Sequence, residues 1–169
     1  MSTLSGKDAG WRLATITVVL ALVAAGCAGG TGGGGGGSVD VTLQEWAVIP
    51  AQSSVAAGPV TFDVENTGPD HPHELVVIRT DLAPDALPTT DHGAVDEEGE
   101  GIEVIDEVEE FPPDETREAT FDLEPGSYVL VCNVVAEAGE HGGEGEEEHM
   151  DGMEVHYEMG MFAPFTVEG

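Results

Sequence analysis

The sequence predicts an all-β fold, an antiparallel Greek-key β-sandwich of about seven to eight strands. Beyond residue 38 the apolar residues fall in short alternating runs, Val39, Val41 and Leu43 being the first. A period of two places such residues on one face of a strand. Pro, Gly, Asn and Asp punctuate the runs at short intervals, as the turns of a sandwich require. Almost no stretch carries the roughly 3.6-residue apolar period of an amphipathic helix. A chain of 169 residues suits one such domain with appendages.

The first appendage reads as an export signal over residues 1–26. Lys7 and Arg12 form a basic start, Leu13 to Val23 is apolar, and Ala24, Ala25 and Gly26 lead into Cys27. The apolar run is short for a membrane span of about 20 residues, so cleavage is expected. The small residues before Cys27 resemble a bacterial or archaeal lipobox, with Ala24 where Leu is more usual. That resemblance implies lipidation at Cys27 and an exported protein anchored on the extracytoplasmic face of the cell membrane. Residues 27–38 then serve as a lipidated, Gly-rich tether, since glycine has no side chain to pack.

The domain is expected over residues 39–169. A first strand covers about 39–48, with Trp46 to Ile49 continuing the apolar run to Pro50. In GPVTFDVENTG, Val60, Phe62 and Val64 share a face, and Asn66 and Gly68 end the strand. HELVVIRT follows, with His73 at its entrance and Leu75 to Ile78 long enough for a core strand. Residues 81–101 hold two Pro and several acids without a steady period, which predicts a long surface excursion. A short strand at about 102–108 comes next. TREATFDLEPGSYVLVCNV reads as strand, Pro125-Gly126 turn and strand, a hairpin that delivers Cys132 at its far end. MFAPFTVE closes the fold, with Pro164 on an edge or at a bulge. The expected core is Val41, Leu43, Val60, Phe62, Val64, Val77, Phe121, Leu123, Val129, Val131, Phe165 and Val167.

Charge narrows the function. The formal net charge is −30, and loss of residues 1–26 would remove Lys7 and Arg12 but only one acid, Asp8, leaving Arg79 and Arg117 against 33 acidic residues. Such a surface excludes an electrostatic grip on nucleic acid and is repelled by bare anionic lipid. Cationic partners and metal ions remain. Most of the acids read as general solvation, as in organisms living at high salt.

If Cys27 carries lipid, Cys132 has no disulfide partner in a compartment that favours disulfides. It reads as a buried inert thiol, an intermolecular disulfide, a nucleophile or a metal ligand, and its neighbours decide. The stretch from Tyr128 to the C-terminus holds three His and four of the five Met. Thiolate, imidazole and thioether together suit copper.

GPVTFDVENTG with HEL at 73–75, LEPGSYVLVCN at 123–133 and HYEMGMFAPFTV at 156–167 resemble the cupredoxins, the small blue-copper proteins, over most of residues 39–169. The resemblance implies one type 1 copper held by His73, Cys132, His156 and Met161. It also implies a non-enzymatic electron carrier that exchanges single electrons with exported or membrane-bound redox proteins. The residues leave alternatives open at each position. His71 lies near His73, within the turn before Pro72. His141 and His149 compete with His156, and HMDGM is a shorter near-copy of HYEMGM. Met159 competes with Met161. Only His156 and Met161 run directly into the last strand.

The chain departs from the family in one respect. Residues 133–155 separate Cys132 from His156, eight of the 23 are acidic, and none is basic, where cupredoxins usually have only a few residues. Loop closure grows costly only slowly with length, so a sandwich tolerates this insert. Its His141, His149, Met150 and Met153 motivate a second reading, a protein that captures, stores or delivers copper. A third is an adhesive or scaffolding sandwich without metal. No Ser-His-Asp grouping or phosphate-cradling loop suggests an enzyme.

Overall fold

The computed structural model describes residues 35–137 and 153–169, and all regular structure among them is β. One sheet has the order β2 (Ala47–Pro50), β1 (Gly37–Gln44), β4 (Gly58–Asn66), β7 (Thr116–Leu123). The other runs β3 (Ser54–Ala56), β11 (Phe162–Glu168), β8 (Gly126–Val131), β5 (His73–Thr80), β6 (Ile102–Phe111). β9 (Val135–Glu137) and β10 (Met153–Val155) form a two-stranded ribbon. Pairing is antiparallel as expected, except that β1 lies parallel to β4 and β3 parallel to β11. The signal segment, Cys27, His141, His149 and Met150 lie outside the described residues.

The core sits between the two sheets. Val39, Val41 and Leu43 of β1, Val60, Phe62 and Val64 of β4, and Phe121 and Leu123 of β7 face Leu75, Val77, Tyr128, Leu130, Phe165 and Val167 of the second sheet. Phe62 anchors it, with ring centroids 6.0 Å from Phe121 and 5.8 Å from Phe165. Each such side chain contributes about 1.5–3 kcal/mol by leaving water.

Val129 and Val131 are buried as expected, but not in that core. They point to the opposite face of β8, where with Val76 and Ile78 they meet Leu87, Val95, Val155 and Tyr157. Period two forces this: if Tyr128 and Leu130 face inward, Val129 and Val131 face out. Residues 81–101 are therefore more than a surface excursion, because they cover that outer face. Tyr157 ties them down, its hydroxyl accepting from Leu87 N (3.0 Å) and donating to Pro84 O (3.0 Å). The Asn133 side chain does the same, accepting from Val95 N (2.7 Å) and donating to Val95 O (3.1 Å). Cover on both faces explains the unbroken apolar run Leu75 to Ile78.

Several boundaries differ from the sequence reading, and β6 runs to Phe111 where the expected strand ends at about 108. β1 begins at Gly37, and the glycines just before it pack closely: a Cβ on Gly36, whose φ is 94°, would stand 1.9 Å from Pro59 O. The strand expected over 39–48 breaks at Glu45 and Trp46, and β2 folds back with Leu43 opposite Val48 and Gln44 opposite Ala47. That reversal brings Glu45 and Trp46 to the end of the sandwich where β5 begins.

Candidate metal centre

His73 is the first residue of β5, where it pairs with Phe111. Asn66, fully buried, shapes the approach: its amide donates to His71 O (3.0 Å) and Phe111 O (3.1 Å), and its carbonyl accepts from Gly68 N (3.0 Å). Cys132 follows β8 directly. His156 follows β10, and its N–H reaches Val134 O at 3.0 Å. The ribbon β9–β10 thus returns the chain beside Cys132 and spans the sequence gap from within, pairing Val135 with Val155.

His73, Cys132 and His156 are each fully buried and meet at one point. The two Nδ1 atoms are 3.1 Å apart, and Cys132 Sγ is 3.3 Å from His156 Nδ1 and 3.6 Å from His73 Nδ1. Glu74 joins the strands that carry His73 and Cys132. Its N–H donates to Cys132 Sγ (3.5 Å), and its carboxylate accepts from Asn133 N (3.1 Å).

Met161 is also fully buried, in the same cluster as Cys132. A tight turn over residues 156–160 brings it there, with Met161 N bonded to His156 O (3.1 Å) and Cys132 N bonded to Met161 O (3.0 Å). Gly160, at φ 100°, supplies the left-handed residue of that turn. Met159 is 44% exposed, as is Met153. His71 stands outside the trio, partly exposed, with Nε2 3.6 Å from Glu154.

Burial sets the protonation states. It pulls the His156 imidazole down to about 4, with His73 and His71 adding to the effect. It lowers His73 as well, against the opposing charge of Glu45. Both rings are neutral near pH 7, the form in which a ring nitrogen offers a lone pair. Burial also pushes the Cys132 thiol up to about 12. A cation bound there must therefore displace the thiol proton. Burial, then repulsion from Glu107, raises the Glu74 carboxyl to about 7.

The donor set fits a metal ion. A point in the plane of the three atoms and equally far from each lies about 1.9 Å away, the circumradius of a triangle with sides 3.1, 3.3 and 3.6 Å. Small transition-metal cations bind imidazole nitrogen at about 2.0 Å and thiolate sulfur at about 2.3 Å. Whichever tautomers the rings take, both Nε2 atoms are buried without a partner. Such groups cost about 1–3 kcal/mol each.

Two residues that the sequence reading missed complete the surroundings. Trp46 packs on both histidines, its ring centroid 5.0 Å from that of His156 and 6.5 Å from that of His73, and 5.1 Å from His71. Glu45 Oε1 lies 3.7 Å from His73 Nε2. The available signal was an acid interrupting an apolar run, beside a tryptophan.

No family model matches the sequence, and no curated protein does. Among solved structures, similarity extends to a reduced auracyanin from the photosynthetic bacterium Roseiflexus castenholzii, 18% identical with a TM-score of 0.49, over 79% of this chain and 97% of that one. It extends also to auracyanin A, a blue copper protein from Chloroflexus aurantiacus (17%, 0.46, 79% and 100%), and to rusticyanin from Thiobacillus ferrooxidans (15%, 0.47, 78% and 76%). Likeness at this level says nothing of the chemistry of this chain.

Proposed function

We propose that the protein is a type 1 copper electron carrier, tethered to the outer face of the membrane through Cys27. The observation that supports it is the convergence of one sulfur and two imidazole nitrogens, all buried, at 3.1–3.6 Å. His73, Cys132 and His156 would hold the ion, with the Met161 thioether as the weak fourth ligand. A thiolate, two imidazoles and a distant thioether compromise between the preferences of Cu(I) and Cu(II), so little moves when the charge changes. Bound there, copper supplies single-electron uptake and release.

The chain's own residues do the rest. Asn66, Glu74 and the β9–β10 ribbon fix the ligand positions before any ion arrives. The two sheets exclude water from Cys132, and Trp46 covers His156. Full burial of His73, Cys132 and His156 suits electron exchange with a redox protein better than turnover of a substrate.

A visible absorption spectrum of the copper-loaded protein tests the reading. The wild type is expected to show an intense thiolate-to-copper band that bleaches on reduction and returns on oxidation, and Cys132→Ala to lack it. No band, or a band that survives the substitution, overturns the type 1 site. Copper bound without reversible cycling favours capture or delivery. For the anchor, Cys27→Ser is expected to release the protein from the membrane fraction; continued retention refutes lipidation.

A further inference from the structure

The turn between β1 and β2 carries a built acceptor. The Glu45 carboxylate is largely buried, 12% exposed, and Oε1 accepts from His71 N at 2.9 Å and Asp70 N at 3.3 Å. Its Oε2 has no partner, and neither has His73 Nε2. An unpartnered acceptor and an unpartnered ring nitrogen therefore belong to two side chains already within 3.7 Å of each other. His156 has no such carboxylate within ion-pair distance among the described residues; its neighbours are the rings of Trp46, His71 and His73. Gly68 makes room for the arrangement, since a Cβ there would stand 2.6 Å from a carboxylate oxygen of Glu45.

We infer that Glu45 is a positioning residue for His73, its carboxylate attracting the Nε2–H, which keeps its proton, so that Nδ1 presents its lone pair towards Cys132 and His156. The inference rests on the metal-site reading for its purpose, but the tautomer itself is a property of the metal-free protein. A carboxylate that accepts from the outer nitrogen of a ligating histidine fixes the ring and makes the inner nitrogen a better donor. The two histidines would then be unequal, one braced by charge and the other only by packing.

The test is ¹⁵N–¹H spectroscopy of the histidine rings in the metal-free protein, paired with copper titration and the reduction potential of the loaded one. The wild type is expected to show His73 as the Nε2–H tautomer. Glu45→Leu should shift that population and weaken copper binding about 10–100-fold. Glu45→Gln keeps an acceptor oxygen without the charge, so it should restore most of the tautomer while raising the potential.

Gly68→Ala, which crowds the carboxylate with the ligands untouched, should act like Glu45→Leu and decides the matter if that variant does not fold. A Glu45 that served only to hold the Asp70 and His71 amides would move neither the His73 tautomer nor the potential. Wild-type populations retained in Glu45→Leu or Gly68→Ala, with copper affinity within twofold, overturn the inference. If the wild type shows no thiolate band, the copper reading fails while the tautomer measurement still decides the role of Glu45.

Discussion

The two ends of β5 and β8 solve opposite problems. At one end, Arg79 of β5 lies beside Gly126 at the start of β8, donates to Glu124 (2.9 Å) and Pro125 O (3.2 Å), and lies 3.9 Å from Glu103. All of this is half in water and paired. At the other, the same strands present His73 and Cys132, fully buried, and the three buried unpartnered side-chain atoms among the described residues are all there: Glu45 Oε2, His73 Nε2 and His156 Nε2. Folding alone would favour apolar residues at that end, because an unmatched buried polar group costs about 1–3 kcal/mol. The atoms that converge, Cys132 Sγ and the two Nδ1, lie at this same end, where the proposed ion would sit.

The sharpest way to break this contrast is His156→Leu. Copper at 1,000 times its dissociation constant should stabilise the wild type by about 4 kcal/mol and this variant hardly at all. Without copper the variant should differ from the wild type by no more than about 1 kcal/mol, because one buried unmatched nitrogen is gone but His73 Nδ1 and Cys132 Sγ lose their contact with His156 Nδ1. Thermal melts with and without the ion read both changes, and a variant that copper stabilises as much as the wild type contradicts the assignment.

A smaller effect is expected for Asn133→Ala, about 1–3 kcal/mol lost in denaturant unfolding. It strands the Val95 N–H and C=O against the outer face. Hydrogen exchange should then quicken at Val95 while the core strands stay protected; uniform protection would mean that residues 81–101 are held without the Asn133 bonds. The smallest effect is expected at the far end. Arg79→Ala should leave the melting midpoint and copper binding unchanged, since its ion pairs are solvent-screened. A clear loss of copper affinity there would show that the two ends are coupled.

Much of the fold was legible because strands announce themselves locally. The alternation of β1, β4 and β7 put each of Val41, Leu43, Val60, Phe62, Val64, Phe121 and Leu123 where the sequence placed it. β8 was harder. Its run Tyr128 to Val131 is apolar on both faces, and periodicity cannot say that a strand has a second cover. The 39–48 segment was misread for a similar reason: Trp46 to Ile49 continues the apolar run, yet the chain reverses there.

By itself the sequence determined the composition of the site. A thiol at the end of a β-rich run, a histidine at the entrance of another and a His-x4-Met segment before the last strand are local facts, and chemistry attaches to them directly. Only the tertiary structure decided that His73 and not His71 meets Cys132, because that depends on how Asn66 bends residues 67–72 into β5. Only it could bring Glu45 and Trp46 to the ligands. Their side chains are separated from His73 by more than 25 residues of chain, and what closes that distance is the parallel pairing of β1 with β4, a non-local contact that no pattern within β1 encodes.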